Sequence, residues 1–208
     1  MTRLNNGGRA MSKKSIMKSV FSIILALCFF TNPFILPVYA QDTLEVQTWK
    51  ETTQWTREYL PDYNDEYAIQ SMYYLVDYQG FSKYGAAGIV GNIYAECRFD
   101  PKASNGTHIG IMQWDWKARW PKVSKWLKEN KLSEDNYYGQ LIAVFDSDDA
   151  KNYSKVFEKM QTMSNEIVAA DYWQIMYEGA EGQSTGPREL GARLALALYE
   201  LDSHGISL

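Results

Sequence analysis

The residues that could do chemistry are concentrated between Gly88 and Trp114, with Asp115 directly after them. Glu96 ends an apolar segment that carries hardly any charge, and burial disfavours the ionised form of a carboxyl group. The negative end of a helix dipole disfavours that form as well. A carboxyl that keeps its proton near neutral pH can donate it to a leaving oxygen, as glycoside cleavage requires. The competing interpretation is a solvent-facing glutamate at a helix end, and this helix alone leaves both open.

A second carboxylate would extend this chemistry. Asp115 follows Gln113 and Trp114 and lies across a short loop from Glu96 in sequence. It could stabilise an oxocarbenium-like state or position water, or it could be a simple turn residue. Trp114 and Trp116 could stack on sugar rings, because C–H faces suit aromatic planes.

Cys97 and His108 together indicate a different reaction, that of a thiol peptidase. No third group that would orient the pair is evident, so a buried structural cysteine is the favoured interpretation. Metal binding has little support, since the chain after residue 40 contains only two histidines, His108 and His204, and one cysteine, Cys97. We therefore expect neither a metal nor another cofactor.

The elements that must position these residues are mainly helical. Asn64 and Ser82 are expected to cap two helices, the second running over 83–96 and apolar on nearly every side, as befits a central helix. Gly85, Gly88 and Gly91 recur at every third position of it and predict close helix packing. Glycine and asparagine within 101–113 predict a small β-hairpin or a structured loop. Further helices are expected over 122–130, 137–145, 153–163, 166–177 and 188–201.

The stretch "AAGIVGNIYAECRFDPKA…GIMQW" resembles the lysozyme-like superfamily, and most closely the phage tail-type lysozyme family. Lytic transglycosylases share similar E-S-x-F-x-P and G-x-M-Q elements. The resemblance covers about residues 67–199 and implies a lysozyme-like fold with Glu96 as the catalytic acid. It also implies substrate-binding roles for residues of the G-I-M-Q-W and Y-E segments: Gly110, Gln113, Trp114, Tyr177 and Glu178. Through the Y-E segment, the resemblance makes Glu178 the second candidate for an assisting carboxylate, with a hydrogen bond to the cleft as the alternative role.

Three positions depart from the pattern of that family. Cys97 replaces the serine that usually follows the acid, and His108 stands where small residues are usual. Gly179 and Ala180 replace an Arg-Pro pair that often follows the Y-E segment. The change at Cys97 is modest in size, and the other two affect the expected outer contacts of the cleft more than its chemistry.

The first forty residues are expected to be a secretory signal peptide. A basic segment precedes an apolar run over 20–30, and Val38-Tyr39-Ala40 is an A-x-A-like cleavage site. The run is shorter than the roughly 20 residues of a membrane anchor. Removing five of the 21 basic residues leaves 16 against 25 acidic ones, a formal charge of −9, which argues against nucleic acid as a partner.

The sequence thus predicts three segments: a signal peptide over 1–40, an arm or linker over 41–62, and a mainly α lysozyme-like catalytic domain over 63–208. The expected protein is secreted or associated with the cell envelope, is monomeric and has no stable membrane insertion. It cleaves the β-1,4 bond between N-acetylmuramic acid and N-acetylglucosamine in bacterial peptidoglycan. The alternatives are a lytic transglycosylase and a non-catalytic wall-binding or assembly protein. Hydrolysis assisted by Asp115 is slightly favoured, because Asp115 would share a face with Gln113 in an extended chain.

Overall fold

A computed structural model describes residues 44–183 and 185–207. The predicted signal peptide lies outside this range. Among the described residues, every helix is too short or too polar to cross a membrane.

The described chain is mainly helical, with one small antiparallel hairpin, as the sequence predicts. The elements are α1 (Leu44–Tyr59), α2 (Asp65–Tyr73) with a π-helical turn (Tyr74–Tyr78), α3 (Lys83–Cys97), β1 (His108–Ile109), β2 (Trp114–Asp115), α4 (Trp120–Glu129), α5 (Tyr137–Asp146), a 3₁₀ turn (Ala150–Asn152), α6 (Ser154–Met160), α7 (Glu166–Trp173) with a π-helical turn (Gln174–Glu178), and α8 (Gly186–Ser203).

Side-chain caps set several of the helix starts. The Asn64 side chain accepts the N–H of Tyr67, and the Ser82 hydroxyl accepts that of Gly85, so both predicted caps are confirmed. Each cap satisfies a backbone donor that the first helical turn leaves without a partner. At the other end, α3 stops because Arg98 adopts a left-handed conformation, with φ of 54°. Glu96 therefore lies in the last turn of the helix.

The central helix α3 is buried along almost its whole length and packs against α7 and α8. Its three glycines allow this close approach. A Cβ on Gly85 would lie 2.1 Å from the carbonyl oxygen of Met160, and one on Gly91 would lie 2.3 Å from that of Arg188. A Cβ on Gly88 would lie 2.7 Å from the Cβ of Ala169. The predicted role of the glycines in packing is confirmed.

The hairpin pairs Ile109 with Trp114 and His108 with Asp115. Its second strand lies just beyond the segment 101–113 in which the sequence predicts it. Gly110 and Gln113 have positive φ angles of 79° and 42°, which allow the chain to reverse between the strands. The turn is tied to α5, because the side chain of Gln140 accepts the N–H of Ile111 at 2.9 Å.

The segment that precedes α2 is folded onto the rest of the described chain. Residues 44–59, within the predicted arm or linker, form α1, which packs against α8. The hydroxyl of Tyr63 donates to the carbonyl oxygen of Gly191 at 2.9 Å and fixes the connection between α1 and α2 on the same helix.

Candidate active site

Asn92 is the only amide side chain in α3, and it lies buried one turn before Glu96. Its amide nitrogen donates to the carbonyl oxygens of Gly88 at 2.8 Å and Ala170 at 3.0 Å. These two bonds fix the orientation of the amide, so its oxygen faces α8. There it accepts the Nε–H of Arg188 at 2.8 Å.

Arg188 joins three elements at this point. Besides its bond to Asn92, its Nη2 donates to Oε1 of Glu96 and lies 3.4 Å from Oε2 of Glu178. The guanidinium is a planar fork of donors that suits simultaneous recognition of several acceptors. Since Arg188 is almost completely buried, the acidic groups around it are what make its charge tolerable there.

Glu178 lies at the end of the π-helical turn that extends α7. The chain then reverses at Gly179, with φ of 69°, and the side chain of Gln174 donates to the carbonyl oxygen of Ala180 at 2.9 Å. This fold-back holds the following loop against the helix end. Glu178 is consequently more deeply buried than Glu96: their side chains are 5% and 19% exposed.

The electrostatics of the pair are dominated by that burial. Desolvation raises the pKa of Glu178 to about 8; the nearby charge of Glu96 and a hydrogen bond between the two carboxyl groups add to the rise, while Arg188 opposes it. Burial on an apolar helix predicts a protonated carboxyl at Glu96. The structure instead gives the deeper burial to Glu178, its neighbour from α7.

Asp115 has the opposite environment on β2. Its Oδ1 accepts the backbone N–H groups of Ala118 at 2.7 Å and Lys117 at 2.9 Å. These bonds lower the pKa of Asp115, and His108, its partner across the hairpin, contributes less. Asp115 thus terminates a turn in the way that a structural aspartate does, and it stays ionised at neutral pH.

The other predicted substrate-binding residues form the inner support of this region. Trp114 is fully buried, and its indole N–H donates to the hydroxyl of Tyr177 at 3.2 Å. Tyr177 is sandwiched between Trp173, at a ring distance of 4.2 Å, and the guanidinium of Arg119, at 4.4 Å. In this conformation the rings of Trp114 and Tyr177 cannot contact a sugar directly, because neither ring presents a face to solvent.

Gln113 and Gly110 shape the hairpin turn itself. The Gln113 amide nitrogen donates to the carbonyl oxygens of Gly110 at 2.9 Å and Ala103 at 3.1 Å. Trp116, by contrast, is 57% exposed and keeps a free aromatic face. Of the two tryptophans considered for sugar stacking, only Trp116 is available for it.

The thiol of Cys97 points into the core, where its Sγ–H donates to the carbonyl oxygen of Ile93 at 3.2 Å. Burial raises its pKa to about 12, so it stays protonated. His108 instead contacts the hydroxyl of Thr107 at 2.9 Å. The two residues do not form the pair that a thiol peptidase needs. Within the described ranges, His, Cys, Asp and Glu residues form no group of three or more that could hold a metal ion.

The family model for phage tail lysozymes matches residues 66–200, more than half of the chain. The chain belongs to the phage tail lysozyme family. The matched region begins in α2 and ends in α8, so it includes Glu96, Glu178 and Arg188. No curated protein and no solved structure gave a significant match. Membership in the phage tail lysozyme family supports a lysozyme-like activity that cleaves peptidoglycan.

Two residues of the site, Asn92 and Arg188, are missed by the sequence analysis. Asn92 could have been found, since it is one helical turn from Glu96 and is a lone amide in an apolar helix. A buried amide of this kind needs partners, and its position indicates that they lie near the acid. Arg188 offers a weaker sequence signal, because its contact with Glu96 spans 92 residues.

Proposed function

We infer that this member of the phage tail lysozyme family is a peptidoglycan-cleaving glycosidase with Glu96 as its general acid. The bond we assign to it is the β-1,4 link between N-acetylmuramic acid and N-acetylglucosamine. The observation that supports this assignment is the Glu96–Glu178 pair, in which one carboxyl is partly exposed and the other is buried. Only Glu96 can reach a glycosidic oxygen, while its position is fixed from behind by Arg188.

In the proposed reaction, Glu96 gives a proton to the glycosidic oxygen as the bond to the anomeric carbon breaks. The electron pair of that bond stays on the leaving oxygen, and an oxocarbenium-like centre develops on the sugar. Trp116 offers its exposed face to a neighbouring sugar ring. No metal or other cofactor takes part in these steps.

For the second half of the reaction we favour hydrolysis, with ionised Asp115 as the assisting group. Its negative charge at neutral pH suits stabilisation of the oxocarbenium-like centre. Two observations support lytic transglycosylation as a second candidate. Oδ1 of Asp115 already accepts two backbone N–H groups, and Glu178 is buried, so Glu96 could act alone as acid and then base.

The product decides between these two routes. Mass spectrometry of digested peptidoglycan should show reducing muramic acid ends, and Asp115→Asn should lower their yield. Products with 1,6-anhydro ends, lighter by one water, would establish transglycosylation instead.

The acid itself is tested by Glu96→Gln, which keeps the shape of the side chain and removes its proton. We expect turbidity clearing of purified peptidoglycan to fall by about 10²- to 10⁴-fold with the fold retained. Glu181→Gln is the matched control, because Glu181 is an exposed carboxylate in the loop that follows Glu178. If Glu96→Gln clears peptidoglycan as fast as this control, Glu96 is not the acid.

A non-catalytic wall-binding or assembly protein would give another result: the unmodified protein would bind peptidoglycan without releasing sugar fragments. We also propose export through the N-terminal segment 1–40, which would bring the protein to the wall that it cleaves. Recovery of a protein beginning near Gln41 from the culture medium or the cell envelope would test that export.

A further inference from the structure

The Glu96–Glu178 pair differs from the usual two carboxyl groups of a glycosidase. Those groups flank the scissile bond and are about 5 to 9.5 Å apart, so that the sugar, or the sugar and a water, fits between them. Here one oxygen of each carboxyl contacts the same nitrogen, Nη2 of Arg188. No sugar can lie between them, so Glu178 has to act through Glu96.

Charge balance around the pair indicates how it acts. The charged groups that face Glu178 are Arg188 from α8 and Glu96 from α3. The neutral amide oxygen of Gln183, from the intervening loop, lies 3.5 Å from Nη2 of Arg188, the nitrogen that also contacts both carboxyl groups. Two ionised carboxylates against one guanidinium would leave a net negative charge in a largely buried site. Like-charged groups in contact avoid this by holding one proton between them.

Hydrogen bonding indicates where that proton is needed. Glu178 Oε2 faces Arg188, but its buried Oε1 has no hydrogen-bond partner among the residues that the structure describes. A buried carboxylate oxygen without a donor disfavours the ionised form, so this oxygen also favours a protonated Glu178. The fixed amide of Asn92 holds Arg188 in place, so the geometry of the pair is set before substrate arrives.

We propose that Glu178 stores the proton that Glu96 delivers to the glycosidic oxygen, and that Arg188 is the residue that positions the two carboxyl groups for the transfer. This inference rests on the proposed role of Glu96. The O–H bond of Glu178 breaks as an O–H bond forms on Glu96, and Glu96 then passes its proton to the leaving oxygen. The attacking hydroxyl, whether of water or of the sugar, returns one proton to the pair, so the cycle closes without another reactant.

The test by activity is the pH profile of Glu178→Gln. Glutamine keeps the shape but cannot store a proton, so Glu96 beside Arg188 should lose its own proton at lower pH. We expect the basic limb of the turnover profile to move down by at least about one pH unit, with most activity recovered in mildly acidic solution. Glu181→Gln makes the same substitution in the exposed loop and should leave the limb unchanged. A folded Glu178→Gln protein with an unshifted basic limb would overturn the proposal.

Arg188 is tested by Arg188→Lys, which keeps the charge and loses the fork. We expect lower turnover across the whole pH range with little change in substrate affinity, because lysine cannot hold Asn92 and both carboxyls at once. Turnover equal to that of the unmodified protein would show that Arg188 does not position the pair.

A direct titration separates this proposal from the proposed function. In protein labelled with ¹³C at the glutamate carboxyl carbons, one resonance should titrate near neutral pH and should disappear in Glu178→Gln but persist in Glu181→Gln. This readout needs no substrate, so it stands even if peptidoglycan is not cleaved. If every glutamate titrates in the ordinary acidic range, the stored proton does not exist.

Discussion

The helical site around Glu96 and the hairpin that carries Asp115 hold their carboxylates by opposite means. Glu96 and Glu178 are positioned by packing, on helices that approach closely because α3 has glycines at their contacts. Asp115 is positioned by backbone N–H groups of a turn next to water. Burial favours the protonated form of Glu178 in the first region, and hydrogen bonding favours the ionised form of Asp115 in the second. One small domain thereby keeps both forms of a carboxyl at the same pH.

Among the variants that test this comparison, Gly91→Ala is expected to have the largest effect on stability and activity. The new methyl group would lie 2.3 Å from the carbonyl oxygen of Arg188 and 2.9 Å from the Cβ of Ala192, so α8 must move away from α3. Overpacking of this kind costs about 1–3 kcal/mol, and it should also displace Arg188 and reduce activity. Gly186→Ala is the control, because no atom lies within 4 Å of its added Cβ. Urea unfolding and peptidoglycan clearing would measure the two effects, and equal behaviour of both variants would refute tight packing at Gly91.

The next largest effect concerns the pH dependence of stability, to which Glu178 and Asp115 should contribute with opposite signs. The pKa of Glu178 is raised from 4.5 to about 8, so its contribution to stability is present at pH below 4.5 and is lost as the pH rises towards about 8. The pKa of Asp115 is lowered, so its contribution is present above its unfolded value of 3.8 and is lost as the pH falls.

Melting temperatures followed across pH would show both signs. Relative to the unmodified protein, Glu178→Gln should lose less stability between pH 4.5 and about 8, and Asp115→Asn should lose less below pH 3.8. Parallel curves for all three proteins would mean that neither carboxyl titrates differently in the folded state.

A smaller effect is expected at the hairpin turn from Gly110→Ala. Left-handed backbone costs a non-glycine residue about 1–2 kcal/mol, and the added Cβ would lie 2.6 Å from Oε1 of Gln140. Gly106→Ala has a similar φ of 89° but nothing within 4 Å, so it measures the backbone strain alone. Urea unfolding should show a greater loss for Gly110→Ala. If the losses are equal, Gln140 moves aside without cost.

The smallest effect is expected from Cys97→Ser, which leaves most of the activity and costs about 1 kcal/mol or less. Serine can still donate to the carbonyl oxygen of Ile93, as the thiol does. Complete inactivation with an unchanged melting temperature would instead indicate chemistry at the thiol.

The sequence predicts well whatever depends on near neighbours in the chain. The caps at Asn64 and Ser82, the buried character of α3 and the turn at Gly110 all follow from residues within a few positions of one another. The Glu96–Arg188 contact does not, because it exists only once α8 packs on α3. The burial of Trp114 is equally hard to predict. A flat, apolar ring is suited both to packing in a core and to stacking on a sugar, so the residue type does not distinguish the two.

The inward-pointing thiol of Cys97 also makes the end of α3 accessible to kinetic measurement. In a Cys28→Ser variant, Cys97 would be the only thiol in the chain. A reagent can reach its sulfur only when this helix end opens, so the labelling rate in native conditions would report how often the opening occurs. The labelling rate of Cys97 would thus measure the rate of local unfolding at the end of the helix that carries Glu96. Binding of a peptidoglycan fragment at Glu96 should lower the labelling rate of Cys97.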